Sequence, residues 1–371
     1  MTEGDGPRPA PGILDITPYK GGDSAFTGGR GAVILASNES PLGPSPKALA
    51  ALRAAEDLGH YPDGGCNALR AALAERHGLE ANRVVCGNGS DELLSLLAQA
   101  YLREGDEVVI TQHAFLLYDI IARANGASVK VAPDTRLTAD VDALLAQVNE
   151  RTRIVFLANP NNPTGTYVPA DEVAHLHAGL PPDTLLVLDS AYAEYVQHKD
   201  YDSGAHLVSR HPNVVMTRTF SKAYGLAALR LGWAYCPPAI ADVLNRVRGP
   251  FNVSSVAQAA GLAALQDTDH LRAAVIHNSE WLAWLRAALT KLGLRITPSA
   301  ANFLLIHFED EHMAAAADAH LRKAGLILRR TVNYGLPASL RMTVGEATAN
   351  RAVAAALRDF MAASRRPARH G

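Results

Sequence analysis

From residue 84 onward the chain alternates short apolar runs with amphipathic stretches, and this alternation narrows the fold more than any other feature. The runs are VVC (84–86), EVVIT (107–111), VKVA (129–132), RIVFLA (153–158), LLVLD (185–189), VVMTRT (214–219) and LGWAYC (231–236). Successive strand residues point to opposite sides, so a run that is apolar throughout needs cover on both faces. Amphipathic segments at 91–102, 115–125 and 141–149 lie between the runs and supply that cover as helices. The expectation is an α/β fold whose large domain is a mostly parallel sheet of about seven strands sandwiched by helices.

The flanks read differently. Residues 1–30 are rich in Gly, Pro and Asp, with LDITPY the ordered-looking island, and read as an N-terminal arm that wraps something or as a frayed terminus. ASNESPLGPSP (36–46) is a turn-rich connector. Ser45 then caps a helical pattern over 46–58, with Pro46 at its first position. YPDGG (61–65) is a tight turn before a helix ending at His77. Past 238 helical patterns dominate, including a long one from Asp269 that Gly293 stops. Strand-like LRITPS (294–299), NFLLIHF (302–308), LILRR (326–330) and LRMTV (340–344) follow, with helices near 312–324 and to about 363, which suggests a smaller α+β domain. The tail RRPARHG reads as a solvated basic end.

Composition excludes several classes. At 371 residues, 48% apolar and 19% charged, the chain can bury a large core and is not disordered. Its 35 basic and 37 acidic side chains leave a charge of −2, which argues against a nucleic-acid binder. No apolar stretch approaches membrane length, and the start lacks a secretory pattern. Cys66, Cys86 and Cys236 are scattered without a CxxC pair, so neither a disulfide framework nor a structural zinc site is expected, and a reducing cytoplasm is the natural setting.

Ligands of such sheets collect at the C-terminal ends of the strands. Four unusual segments fall there. CGNGSDELLSLL (86–97) places small residues before a helix start, and it reads either as an anion cradle or as an ordinary turn capped by Ser90, with the Asp91 and Glu92 carboxylates counting against the cradle unless they point away. ANPNNPTG (158–165) either presents asparagine amides to a cleft or is a rigid loop. Asp189, closing LLVLD, would hold a cation, cap the next turn or ligate a metal, the last disfavoured because no ligand set with metal spacing lies nearby. TFSKAYGLAALRLGW (219–233) sets Lys222 among apolar neighbours, where an amine loses proton affinity and becomes a nucleophile; the bland alternative is a solvated side chain. Lysine supplies only seven of the 35 basic residues, so this one is harder to dismiss as surface. An amine, a buried carboxylate, an Asn-rich loop and an anion cradle with Arg230 match the needs of pyridoxal phosphate.

Taken in order, ILDITPY, ASNESPLGPSP, YPDGG, GNGSDE, NPNNPTG, LDSAY, TFSKAYGLAALRLGW and LRMTVG make the sequence resemble the fold-type-I aminotransferases, and among them the histidinol-phosphate aminotransferases. The resemblance covers nearly the whole chain. It implies a large cofactor domain over 61–265 and a small domain over 31–60 and 266–371. Lys222 would form the Schiff base with pyridoxal 5'-phosphate and carry the proton afterwards. Asp189 would pair with the pyridine nitrogen, Asn162 and Tyr192 with the ring's 3'-oxygen, and Phe115 would stack on the ring. Ser90, Asp91, Thr219, Ser221 and Arg230 would hold the phosphate, and Tyr61 would reach the phosphate of the neighbouring subunit, which requires a homodimer. Arg341, with Asn162, would bind the substrate's α-carboxylate or hydroxymethyl end. Tyr19 and Arg329 would bind its phosphate, with Arg330 as the alternative within the RR pair. The implied reaction is ping-pong amino transfer between histidinol phosphate and 2-oxoglutarate, with no nucleic-acid or membrane partner.

The pattern is not followed everywhere. Phe115 stands where Tyr is usual, which keeps the ring and removes a hydroxyl, shifting preference toward aromatic amino acids. Ser190 and Ala228 also depart. Other readings stay open: Arg341 and Arg329 as charges on an edge strand, Tyr19 and Tyr61 as exposed turn residues. Trp281 and Trp284 read as helix packing, and His175 and His177 receive no role. An aromatic aminotransferase and a threonine-phosphate decarboxylase fit the same motifs. A cofactor-sensing regulator would need a DNA-binding module that the arm is too short to form. A nicotinamide dehydrogenase would need a glycine fingerprint that is absent.

Overall fold

The computed structural model describes residues 9–19 and 31–364; most of the arm and the RRPARHG tail lie outside the described residues. Seven strands form the main sheet: β1 (Val84–Asn88), β2 (Glu107–Thr111), β3 (Ser128–Ala132), β4 (Thr152–Ala158), β5 (Leu185–Asp189), β6 (Val214–Thr219) and β7 (Leu231–Tyr235). Their order is β1-β7-β6-β5-β4-β2-β3. Strands β1 to β6 run one way, and β7 is antiparallel to both neighbours. The interior strands β5, β6 and β7 are buried on both faces; apolar side chains fill most of their positions, and Thr217, Arg218 and Thr219 of β6 are buried with them. Edge strand β3 is more exposed, and its Lys130 reaches the buried Glu107 at 3.6 Å.

Two apolar layers flank the sheet. Leu186, Leu188, Val214, Met216 and Trp233 pack on one face, and Val187, Val215, Phe156 and Tyr118 on the other. This alternation of consecutive residues between layers is the strand period read as packing. A third cluster, around Leu304, Ile306, Leu340, Met342 and Leu357, forms a separate core. Its sheet has the order β8 (Arg295–Ile296), β9 (Phe303–His307), β11 (Ser339–Thr343), β10 (Arg329–Arg330), all antiparallel. Residues of the 31–60 segment divide between the cores: Leu35 joins the third cluster and Ala48 the first.

Local signals place the helix boundaries. Ser45 accepts the Ala48 N–H at 3.1 Å and starts the Pro46–Arg53 helix. That helix stops at Arg53 rather than running to 58, since Glu56 and Asp57 would sit against the negative end of its dipole. The Asn67–His77 helix ends on Gly78 in the left-handed region, and the long helix spans Thr268–Thr290. LILRR is not one strand. Leu326–Ile327 pairs in parallel with Val33–Ile34, while Arg329–Arg330 pairs antiparallel with β11. Two partners on different sides split the run, which periodicity alone does not reveal.

Candidate active site

A cleft of about 300 Å³ opens where β1, β4, β5 and β6 end and the small sheet approaches. Tyr19, Ser90, Asp91, Phe115, Asn162, Asp189, Tyr192, Thr219, Ser221, Lys222, Arg230, Arg329 and Arg341 all line it. Sequence reasoning named each of them. The cleft also admits Ala36, Ser37, Asn38 and Glu39, which in the sequence look like turn-rich connector alone.

Asp189 ends β5 and is 5% exposed. Oδ2 accepts from the Tyr118 hydroxyl at 2.8 Å and Oδ1 from Thr217 Oγ1 at 3.3 Å. Burial raises its pKa from the usual 3.8 to about 6, against the opposing pull of the Tyr118 hydrogen bond. Neither hydroxyl is charged, and among the described residues no cation pairs with Asp189. Sequence reasoning missed both partners. Thr217 carried a signal, since it lies two residues before Thr219 on β6 and shares its face. Tyr118 carried none, because a helix and a fold are needed to bring it to Asp189.

Lys222 follows β6. Its Nζ donates to the Ser37 carbonyl at 3.1 Å and lies 5.9 Å from the Tyr192 ring centroid. Dense surroundings, and then the Arg341 charge, lower its pKa from 10.5 to about 8. The Tyr192 hydroxyl accepts from Asn38 Nδ2 at 2.9 Å, and burial pushes its pKa up.

The anion cradle has a resolved geometry. Gly89, at φ 75°, turns β1 into the thirteen-residue helix Gly89–Tyr101, whose free N–H groups and dipole favour an anion. A Cβ on Gly89 would come within 2.6 Å of Arg230 Nη2, so the glycine lets the guanidinium approach the backbone. Arg230 donates to Ser221 Oγ at 3.2 Å and pairs with Asp91 at 3.1 Å. Glu92 turns away, accepting from the Asn88 N–H at 2.6 Å and from Asn252 at 2.7 Å. The carboxylates that counted against a cradle are thus one redirected and one neutralised.

Arg341 sits on β11, a central strand, and is 5% exposed, which removes the edge-charge reading. It donates to Asn162 Oδ1 and, at 2.7 Å, to the Ala36 carbonyl, leaving a buried Nε without a partner among the described residues. The acceptor end of Asn162 is thereby committed, and its amide donor remains for a ligand. The RR pair resolves. Arg329 lines the cleft, while Arg330 lies 3.5 Å from Glu311. Tyr19 meets Phe115 edge-on at 6.4 Å. Tyr61 lies apart: it is 82% exposed and stacks on Phe251 at 4.6 Å, outside this chain's cleft. Trp281 and Trp284 pack edge-to-face, His175 meets Asp142, and His177 meets Asn213. Among the described residues no three His, Cys, Asp or Glu side chains gather as a metal site.

A sheet of this order, with a lysine after β6, a carboxylate closing β5 and a glycine-led cradle after β1, defines the fold-type-I class of transferases. The chain belongs to the aminotransferase class I and II family, which matches residues 30–357. It is 54% identical over 360 residues to the histidinol-phosphate aminotransferase of Nitrobacter winogradskyi, covering 96% of this chain and 99% of that one. The histidinol-phosphate aminotransferase of Paramagnetospirillum magneticum is 54% identical with the same coverage. The solved histidinol-phosphate aminotransferase from Sinorhizobium meliloti, in complex with pyridoxal-5'-phosphate, matches with a TM-score of 0.89 at 30% identity, over 95% of this chain and 97% of that one. Aspartate aminotransferase from Thermus thermophilus with maleate shares the fold, with a TM-score of 0.78 at 21% identity over 89% and 92% of the two chains.

Proposed function

We propose that this chain is a pyridoxal 5'-phosphate aminotransferase of histidine biosynthesis. It passes the amino group of L-histidinol phosphate to 2-oxoglutarate by a ping-pong route, giving imidazole acetol phosphate and L-glutamate. The observation that carries the mechanism is one cleft holding an amine of lowered pKa and a buried carboxylate without a cation among the described residues.

The donor set fits the cofactor. When bound, pyridoxal phosphate supplies an aldehyde for an amine and a ring that takes up electron density. Asp189 would hold a proton on the ring nitrogen, supplying the anion that a buried cationic ring would need. Lys222, substantially neutral near pH 8, is the nucleophile and then carries a proton at Nζ. The Gly89–Tyr101 helix start, with Ser90, Thr219, Ser221 and Arg230, holds the phosphate, and Asp91 orients Arg230. Phe115 would cover the ring, and the Tyr192 hydroxyl and Asn162 amide, both in the cleft wall, would serve its 3'-oxygen. Arg341, with a spare Nε–H, takes the carboxylate of glutamate or the hydroxymethyl end of histidinol phosphate, while Arg329 and Tyr19 take the substrate phosphate. Tyr61, exposed on one subunit, completes the phosphate site of the other in a homodimer. We place the enzyme in the cytoplasm, where its three buried thiols stay reduced. No helix among the described residues is long and apolar enough to cross a membrane.

A donor panel tests the substrate. Amino transfer to 2-oxoglutarate is measured from histidinol phosphate, phenylalanine and threonine phosphate. Histidinol phosphate should lead in kcat/KM by about tenfold or more, and Arg329→Ala should erase most of that lead. A lead for phenylalanine would overturn the substrate and leave the aminotransferase chemistry standing.

A further inference from the structure

The Asn38 side chain lies in the cleft wall at the left-handed φ of 56° and is 1% exposed. Every polar group it carries is engaged. Its N–H donates to Thr343 Oγ1 at 2.9 Å, and the Thr343 hydroxyl donates back to Asn38 Oδ1 at 3.2 Å. Its carbonyl accepts from Asn302 Nδ2 at 2.9 Å. The Thr343 hydroxyl, which already accepts the Asn38 N–H, has its proton left for Oδ1, and the amide nitrogen then faces Tyr192 and donates to the phenol oxygen at 2.9 Å. The phenol therefore acts as acceptor on that side, and among the described residues no group accepts its proton. Thr343 stands two residues after Arg341 on β11, so the strand that carries Arg341 also holds Asn38.

We propose that Asn38 is a positioning residue that fixes the direction of the Tyr192 hydrogen bond: by donating to the phenol oxygen it turns the phenol proton toward the ring oxygen of the bound cofactor, and Thr343 holds the amide in the orientation that does so. The proposal rests on the pyridoxal-phosphate reading above. A donor on the ring oxygen competes with the neighbouring protonated nitrogen on Lys222, so that nitrogen gives up its proton more easily. Without the phenol proton, the nitrogen keeps its own to higher pH.

The test is a pH titration of the visible absorbance band of the cofactor-loaded protein. Asn38→Asp keeps the shape and tolerates the left-handed backbone, but its carboxylate only accepts, so it draws the phenol proton away from the cofactor. Thr343→Val frees the Asn38 amide to flip without adding charge. Both variants should raise the titration midpoint, Asn38→Asp by about one pH unit, as far as Tyr192→Phe does. In a Tyr192→Phe background either change should add little, because the group it acts through is gone. A midpoint unmoved by both variants, or a shift as large in the Tyr192→Phe background as in the wild type, would overturn the proposal and assign Asn38 a structural or purely charge-based role. A wild-type protein that forms no visible band with the cofactor would instead overturn the pyridoxal-phosphate reading itself.

Discussion

Asp189 shows how one side chain stores a preference for its ligand. Its folded pKa of about 6 exceeds the ordinary 3.8 because burial penalises the charge more than two hydroxyl donors offset it. A carboxylate raised in the folded state contributes stability below its unfolded pKa, and this is lost as pH rises through the folded value. Between about pH 4 and 6 the cofactor-free protein should therefore lose up to about 3 kcal/mol through this group. Asp189→Asn removes the charge. Cofactor-free Asp189→Asn should melt above the cofactor-free wild type at pH 7.5, and the gap should close below pH 4. If Asp189 pairs with the ring nitrogen as proposed, the same variant should bind cofactor and lose about 10²-fold or more in kcat. Calorimetry across pH and a steady-state assay check both halves; a variant less stable than wild type at pH 7.5 would contradict the origin given to the shift.

Elements place these groups because strand ends and tight turns leave little choice of direction. Gly225, three residues after Lys222, has φ 69°, and a Cβ there would stand 2.1 Å from the Gly43 carbonyl oxygen. This close approach joins the lysine turn to the loop after the Ala36–Glu39 wall. Gly225→Ala adds backbone strain of about 1–2 kcal/mol and a clash on top. Loss of the Ser45 cap should cost about 1 kcal/mol. Urea titrations should thus show a larger loss for Gly225→Ala than for Ser45→Ala, with weaker cofactor binding in the glycine variant alone; equal losses would mean that the turn yields easily. Much of this layer was legible in the chain. The seven apolar runs became the seven strands of the sheet, and the residues after them became the cleft wall. What was not legible came from tertiary approach. Ala36, Ser37 and Asn38 contact Arg341, Lys222 and Tyr192 across separations of 305, 185 and 154 residues, and no local pattern encodes such a pairing. The Arg329–Arg330 register also needed the sheet, because either residue suits an isolated strand.

At the scale of the whole molecule, the exposed Tyr61–Phe251 stack lies outside the chain's own cleft. If Tyr61 serves the neighbouring site, two inactive variants should complement each other. Lys222→Ala and Tyr61→Ala subunits, unfolded together and refolded as a mixture, should form mixed dimers with one complete site, recovering roughly a quarter of wild-type activity. A mixture as inactive as its parts would place Tyr61 in its own chain's chemistry or outside catalysis. The proposed chemistry requires a covalent bond between one of seven lysines and the cofactor's aldehyde carbon. Borohydride reduction of the loaded protein, followed by peptide mapping in a mass spectrometer, should place the pyridoxyl phosphate group on Lys222. A group found on another lysine, or no adduct on folded protein supplied with cofactor, would contradict it.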